Sequence, residues 1–333
     1  MHTIWNRSAS LILLSAMACL AGLGTRVSAQ ETAKSASGKT ASQQALAQPH
    51  SRAMDAALQR NKHQHDLTHR IESSGEIESL THHVSLRSEA VLVQDMQSSA
   101  VLYSKHSDEV RPIASISKLM TALIVIEAHQ PMDQVLDITD ADVDRLRHSR
   151  SRLRVGTKLS RAMLLHLALM SSENRAAHAL ARNYPGGMPA FVRAMNDKAR
   201  SLGMRHTHYV EPTGLSSENV STPQDLVKLL SVVAKEPLIH RYTTDDTQRV
   251  EIAKGRVLTY NNSNSLVRSR DWHIKVSKTG FINEAGECLV MLAQIDKRTV
   301  AIVLLDSSGR YSRIGDAKRV RHLVKKEINV AML

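Results

Sequence analysis

The segment CLVMLAQIDKRTVAIVLLD, residues 288–306, holds two apolar runs separated by a short polar turn. Runs of this length, rich in Val, Ile and Leu, are typical of β-strands. We predict strands at 288–296 and 299–306 that pair through the turn at 296–298. A third strand is predicted before them, at 273–279, and an amphipathic helix after them, at 314–330.

Two more short β-type runs lie far upstream, at 90–95 and 100–104, and the polar residues between them predict a hairpin. The region between these two sets of strands has helical patterns, at 115–129, 160–171, 175–183, 189–202 and 223–235. Thr222 and Pro223 give the last of these helices a capping hydroxyl and a proline at its first position. We therefore predict an α+β fold: one antiparallel sheet built from both ends of the domain, covered by helices, with a helical insert beside it and a cleft between the two.

Composition excludes several classes of protein. The chain has 333 residues, of which 42% are hydrophobic, so it can form an ordinary globular core. Two cysteines are too few for a disulfide-rich scaffold or a multi-cysteine zinc protein. The net charge of +12 and the arginine-rich segment 145–154 favour an anionic partner such as a cell wall or a membrane surface. Scarce aromatics and the export signal described next argue against nucleic acid.

The N-terminal 29 residues predict a cleaved secretory signal. A short basic start precedes an apolar run, and Val27-Ser28-Ala29 provides small residues for cleavage after Ala29. An uncleaved anchor is the alternative, and a lipoprotein at Cys19 is disfavoured. Residues 30–85 are rich in Ala, Ser, Gln and His and predict a flexible linker. The folded domain is expected at 86–333, with no membrane span after cleavage and a periplasmic location.

Three short motifs could carry chemistry together. Ser115-Ile116-Ser117-Lys118 begins a predicted helix, so Lys118 can reach the Ser115 hydroxyl and act as its base if burial or a nearby cation lowers the amine pKa. Ser172-Glu173-Asn174 lies between two predicted helices, where a hydroxyl can relay a proton and an amide can orient a substrate. Lys278-Thr279-Gly280 lies on a predicted strand, where an ammonium and a hydroxyl can hold a carboxylate. Each motif alone is common, but all three in this order are not.

This set resembles the penicillin-recognising serine enzymes, whose elements are S-x-x-K, S-x-N and K-T-G. The chain is most similar to the low-molecular-mass D-alanyl-D-alanine peptidases, and among them to the endopeptidases. The residues that carry this resemblance are PIASISKLMTA (112–122), LALMSSENRAA (167–177), YPGG (184–187), KARSLGM (198–204), VEPTGLS (210–216) and SKTGF (277–281). The family fold implies a mostly antiparallel sheet with flanking helices and an all-helical subdomain.

The resemblance also implies roles for individual residues. Ser115 would be the acylated nucleophile and Lys118 its base. Ser172 would pass the proton to the leaving amine, and Asn174 would orient the substrate. No metal or organic cofactor is implied, and the expected ligands are peptidoglycan stem peptides, with β-lactams as inhibitors.

The strand motif has the remaining implied roles. Lys278 and Thr279 would anchor a substrate carboxylate, and Gly280 would let the substrate backbone approach the strand. Backbone N–H groups of Ser115 and Phe281 would form the oxyanion hole. A second Ser-Glu-Asn, at 217–219, lies in a loop and is not favoured as the second motif.

Several functions stay open at this stage. The favoured one is endopeptidase cleavage of peptidoglycan cross-links, because the segment after Gly280 accounts only for two strands and a closing helix. The alternatives are a D-Ala-D-Ala carboxypeptidase, a β-lactamase and an inactive wall-binding protein. A β-lactamase would need an acid that activates water, and Glu211 is the one tempting acid after the second motif. Its setting, Val-Glu-Pro-Thr-Gly-Leu, matches the peptidase pattern instead and favours a structural role for Glu211.

Overall fold

The computed structural model describes residues 85–331, with side chains up to residue 326. The helices and strands, in chain order, are β1 Ser88–Asp95, β2 Val101–Lys105, β3 Arg111–Pro112, a 3₁₀ turn Ala114–Ser117, α1 Lys118–Glu127, β4 Val135–Asp137, a 3₁₀ turn Asp140–Asp142, β5 Lys158–Ser160, α2 Arg161–Met170, α3 Asn174–Arg182, α4 Gly187–Ser201, β6 Val220–Ser221, α5 Pro223–Val233, α6 Pro237–Thr244, β7 Thr247–Ala253, β8 Arg256–Asn261, a 3₁₀ turn Ser265–Arg268, β9 His273–Ile282, β10 Gly286–Ile295, β11 Arg298–Ser307 and α7 Ser312–Ala331.

Five strands form one antiparallel sheet in the order β2-β1-β11-β10-β9. The first hairpin and the last three strands therefore meet in the middle of the sheet, where β1 pairs with β11. The strands β1, β10 and β11 alternate their side chains between two apolar clusters, as the period of two requires. Leu92 and Val303 face the larger cluster, whereas Val91 and Ile302 face the cluster that α7 covers.

The helical layer is built around α1. Eight of its ten residues are buried, Lys118 among them, because α1 packs against α2, α3, α4 and α5. A helix that is apolar on nearly every side belongs in the interior of a domain. The first turn of α1 thus sits between the sheet and the other helices, which is the place where the sequence predicts a cleft.

The predicted α+β fold and its antiparallel sheet from both chain ends are confirmed. Ser160 caps α2 and Thr222 caps α5 through their hydroxyls, which fits the predicted helix starts. The prediction misses α6 and the hairpin β7–β8, and it places Ser115 in an α-helix, whereas the structure has it in a 3₁₀ turn. The predicted signal at 1–29 and nearly all of the linker at 30–85 lie outside the described residues. Among the described helices, none combines the length and apolarity needed to cross a bilayer.

Candidate active site

Ser115 lies in the 3₁₀ turn that leads into α1, and Lys118 is the first residue of that helix. In a 3₁₀ turn, side chains three residues apart eclipse one another. The Lys118 Nζ consequently lies 2.8 Å from the Ser115 Oγ. The turn is entered through Ala114 at φ +47°, an uncommon value for a residue with a side chain, which indicates a locally strained approach to Ser115.

The Lys118 ammonium is buried and fully engaged. Its Nζ lies 2.7 Å from the Asn174 Oδ1 and donates to the Thr213 carbonyl at 2.6 Å, in addition to its contact with Ser115. Burial lowers the pKa of Lys118 from 10.5 to about 8, although Glu211 and Glu173 act in the opposite direction. An amine with a pKa near 8 is partly neutral at neutral pH and can accept a proton.

The Ser-Glu-Asn motif of residues 172–174 lies at the junction of α2 and α3, as predicted. Ser172 has φ +63°, so the chain turns sharply there and brings the hydroxyl within 3.0 Å of the Lys278 Nζ. Asn174 is oriented on both sides, because its Nδ2 donates to the Ser149 Oγ at 3.0 Å while its Oδ1 faces Lys118. Both lysines thus reach this junction, Lys118 through Asn174 and Lys278 through Ser172.

Lys278 and Thr279 lie on β9, one of the two edge strands of the sheet. The pKa of Lys278 falls well below 10.5, first because of burial and then because of the charges of Lys118 and Arg313. The sequence predicts that burial or a nearby cation lowers the pKa of Lys118, and burial is the main cause in the structure. Repulsion between the two ammonium groups acts on both lysines. Thr279 shares a hydrogen bond of 2.7 Å between its Oγ1 and the Ser263 Oγ.

Gly280 is the point at which the sheet touches the nucleophile's turn. A Cβ at this position would lie 2.9 Å from the Ser115 nitrogen, closer than real Cβ contacts allow. The approach of a substrate backbone to Gly280 stays a prediction, and the structure adds a constraint from the protein's own backbone. The next residue, Phe281, has an exposed side chain at the end of the motif.

The loop of residues 209–216 contacts Lys118 and the turn that holds Ser115. In the sequence, only the similarity of this segment to the family pointed to a role in the site. Glu211 accepts hydrogen bonds from the backbone N–H groups of Thr213 and Gly214, both at 2.6 Å. This carboxylate therefore holds the turn whose Thr213 carbonyl meets Lys118. Gly214, at φ +80°, packs directly on the Ala114 carbonyl.

The second Ser-Glu-Asn, at 217–219, has a scaffold role. Asn219 is fully buried, and its Nδ2 donates to the Ser117 Oγ at 3.0 Å and to the Glu211 carbonyl at 2.8 Å. It ties the 209–216 loop to the back of the nucleophile's turn. Asn174 reaches Lys118 and Asn219 does not, which agrees with the preference stated for the first copy.

Two contributors were missed by the sequence reasoning. Arg313, on α7, donates to the Gly280 carbonyl at 2.7 Å and pairs with Glu287 at 2.6 Å. Ser263 follows the unpredicted hairpin and reaches Thr279. Neither residue lies in a short motif, so no local signal marks them.

The comparisons with known proteins agree with this geometry. The family model described as D-alanyl-D-alanine carboxypeptidase, Peptidase S11, matches residues 77–309. The D-alanyl-D-alanine endopeptidase of Pseudomonas aeruginosa is 48% identical over 237 residues, which are 71% of this chain and 76% of the relative. The corresponding endopeptidase of Escherichia coli is 46% identical over the same shares of the two chains.

Solved structures give the same result. The DD-transpeptidase of Streptomyces K15 is 27% identical, with a TM-score of 0.67 over 72% of this chain and 97% of that chain. Penicillin-binding protein D2 of Listeria monocytogenes in its cefotaxime-bound form is 28% identical, with a TM-score of 0.65 over 72% of this chain and 98% of that chain. The predicted resemblance is confirmed, and the chain belongs to the D-alanyl-D-alanine carboxypeptidase family, Peptidase S11, of serine DD-peptidases.

Proposed function

We propose that this protein is a serine DD-endopeptidase that hydrolyses the cross-links between D-Ala and a diamino acid in peptidoglycan, through an acyl-enzyme on Ser115. One observation carries the proposal. The Nζ of a buried lysine whose pKa is lowered to about 8 lies 2.8 Å from the Ser115 hydroxyl. A serine becomes a nucleophile when such a base takes its proton.

In the acylation step, neutral Lys118 accepts the Ser115 proton while the Ser115 oxygen attacks the carbonyl carbon of D-Ala. With a pKa of about 8, roughly one amine in ten is neutral at pH 7. The backbone N–H groups of Ser115 and Phe281 are assigned to the oxyanion that forms. A donor of this type lowers the activation barrier by about 3 kcal/mol.

Collapse of the intermediate breaks the C–N bond and requires a proton on the leaving amine. We assign this transfer to Lys118 and Ser172, whose side chains flank the site. Lys278 and Thr279 are assigned to the carboxylate of the leaving residue. Because the pKa of Lys278 is well lowered in the free protein, an anionic substrate would favour its charged form and bring a proton with it.

Water then attacks the acyl-enzyme carbonyl, releases the D-Ala carboxylate and restores the Ser115 hydroxyl. Glu211 does not suit the role of a water-activating acid, since its two oxygens accept from Thr213, Gly214 and Ser216 within its own turn. This disfavours a β-lactamase and predicts slow release of a β-lactam.

Endopeptidase activity is preferred over carboxypeptidase activity on the grounds of similarity. The relatives at 48% and 46% identity have the first name, whereas a carboxypeptidase of Streptomyces is 32% identical over 235 residues. The net positive charge of the chain suits an anionic wall. We further propose a cleaved signal at 1–29, a linker at 30–85, a catalytic domain at 86–333 and a periplasmic location.

The first experiment locates the adduct. The mature protein is incubated with a fluorescent penicillin, and the modified peptide is identified by mass. We expect a long-lived adduct on Ser115 that Ser115→Ala abolishes. An adduct on Ser172 or Ser117, or labelling that survives Ser115→Ala, contradicts the assignment, and absence of any adduct favours an inactive wall-binding protein.

The second experiment identifies the bond that is cut. Purified peptidoglycan and monomeric pentapeptide stems are digested separately, and the products are followed by chromatography. We expect cross-linked dimers to disappear as monomers appear. Release of terminal D-Ala from monomers while dimers stay intact would make the protein a carboxypeptidase, and Ser115→Ala is the control in both digests.

A further inference from the structure

An ion pair joins two segments beside the active site. The Arg147 Nη2 lies 2.9 Å from the Glu284 Oε2, and the Arg147 Nε donates to the carbonyl of Leu215. Arg147 belongs to the loop between the 3₁₀ turn 140–142 and β5, and Glu284 belongs to the β9–β10 turn. Both charged side chains keep contact with solvent, with 23% and 48% of their surfaces exposed.

Each of the three segments is anchored to the active site by a neighbouring residue. Leu215 follows Gly214, which packs on the backbone next to Ser115. The Arg147 loop is tied to Asn174 through Ser149. Glu284 comes four residues after Gly280 on the chain that touches the Ser115 nitrogen.

The Arg147 loop is held in shape before any ligand arrives. The Asp144 carboxylate accepts from the backbone N–H groups of Leu146, Arg147 and Ser149, at 2.8, 3.0 and 2.8 Å. A guanidinium that is fixed in this way loses less entropy when it binds a ligand. A hydrogen bond from Arg147 also lowers the pKa of Glu284, so this carboxyl group is charged at neutral pH.

If the proposed function holds, the part of the substrate that precedes the scissile bond runs along β9 toward Arg147 and Glu284. The leaving residue is assigned to Lys278 and Thr279, and the scissile carbonyl to the N–H groups of Ser115 and Phe281. The residues that precede the scissile bond must then continue past Phe281, toward the β9–β10 turn that holds Glu284. Glu284 follows Phe281 by three residues, and β9 ends between them at Ile282, so a substrate chain that runs along β9 past Phe281 approaches this turn.

A partly exposed ion pair is worth only about 0–1 kcal/mol, so it opens at little cost. A ligand that offers one carboxylate and one ammonium replaces both halves of the pair without leaving either charge alone. The free end of a diamino dicarboxylic acid side chain is such a group, because it carries an ammonium and a carboxylate on the same carbon.

We propose that Arg147 and Glu284 form a subsite for the zwitterionic end of the side chain that precedes the scissile D-Ala, with Arg147 binding its carboxylate and Glu284 its ammonium. The subsite selects stems whose third residue ends in an α-amino acid over stems that end in an uncharged group.

The test uses three cephalosporins with the same ring and different acyl chains: α-aminoadipyl, which ends in ammonium and carboxylate, adipyl, which ends in carboxylate alone, and hexanoyl, which is uncharged. Second-order acylation rate constants are measured for the full mature chain and are expressed relative to hexanoyl. These ratios cancel any general loss of reactivity, and circular dichroism verifies that each variant is folded. Arg154→Gln, an exposed arginine further along the same loop, is the charge-matched control.

We expect the α-aminoadipyl chain to acylate the wild type about tenfold faster than hexanoyl, as one or two charged hydrogen bonds would give. Arg147→Gln should lower the α-aminoadipyl and adipyl ratios together, toward one. Glu284→Gln should lower the α-aminoadipyl ratio without lowering the adipyl ratio. Arg154→Gln should keep the wild-type ratios.

A purely structural bridge would change all three cephalosporins alike and leave the ratios where they were. That result, or a wild-type α-aminoadipyl ratio near one, would overturn the proposed subsite. The proposed function would still stand if the hexanoyl compound acylates the protein. Absence of acylation by all three compounds defeats the proposed function itself.

Discussion

Gly214→Ala should slow acylation strongly although it replaces none of the residues that carry the chemistry. Gly214 has φ +80°, and a Cβ placed there would lie 1.8 Å from the Ala114 carbonyl oxygen and 2.8 Å from the Ser115 nitrogen. The Cβ would therefore push on the turn that orients the nucleophile and one assigned donor of the oxyanion hole.

The size of the effect follows from these distances. Real Cβ atoms essentially never come closer than 3.0 Å, so the two backbones must separate by at least about 1.2 Å. A misplacement of about 1 Å in a catalytic constellation costs roughly 10²-fold in rate. The positive φ adds about 1–2 kcal/mol of backbone strain for a residue with a side chain.

Gly203→Ala is the matched control. Gly203 also has a positive φ, of +68°, but a Cβ there meets nothing within 4 Å. It should lower the stability by about 1 kcal/mol, a few degrees in Tm, and keep the acylation rate.

Acylation by a fluorescent penicillin, measured by rapid mixing, and thermal unfolding are followed for both variants. We expect Gly214→Ala to acylate about 100-fold more slowly while it still unfolds cooperatively. An acylation rate within threefold of wild type for Gly214→Ala, or an equal loss for Gly203→Ala, would refute the reasoning.

Three further predictions concern other parts of the site. The acylation rate should rise with pH through about 8, because the neutral fraction of Lys118 rises as the pH passes its pKa; a rate that is flat from pH 6 to 9, or a reactive Lys118→Arg variant, would contradict the assigned base. Asn219→Ala should lower the free energy of unfolding by about 1–3 kcal/mol, since it leaves buried partners unpaired, whereas exposed Glu218→Ala should stay within about 0.5 kcal/mol; equal values in urea titrations would argue against the scaffold role. Cys288 should resist thiol reagents in the native protein and react on unfolding, because burial raises its pKa to about 12; rapid native labelling would disprove this.

The hydrophobic pattern of the sequence was sufficient to predict the main strands and helices of the fold. Strands 288–296 and 299–306 appear as Gly286–Ile295 and Arg298–Ser307, paired through the predicted turn. The predicted helix 160–171 appears as Arg161–Met170, with the cap that Ser160 supplies. Such elements are readable because hydrophobic periodicity and capping depend on residues within a few positions of one another.

The hairpin β7–β8 was missed because its hydrophobic periodicity is weak. Its strands, TQRVEIA and RVLTYN, are mostly exposed and polar, so their apolar alternation is weak. They are nevertheless followed by Ser263, whose hydroxyl reaches Thr279. A strand that is stabilised mainly by its partner leaves little trace in its own sequence.

The active site likewise has features that the sequence predicts and features that only the structure shows. The three motifs identify Ser115, Lys118, Asn174 and Lys278, since each residue type and spacing has a chemical reason that can be read locally. The sequence could not reveal that Lys118 is buried with a pKa near 8, or that burial also lowers the pKa of Lys278. Both depend on how much water is excluded by helices that are distant along the chain.

The sequence by itself determined the secondary structure of both ends of the domain, the order of the three motifs and the class of chemistry. The tertiary structure alone decided which N–H groups Glu211 accepts from, that Arg313 supports β9 and that Arg147 meets Glu284. Periodicity and motif spacing are properties of neighbouring residues. Contacts such as Arg147 with Glu284 join residues more than a hundred positions apart, and only the packing of the sheet against the helices brings them together.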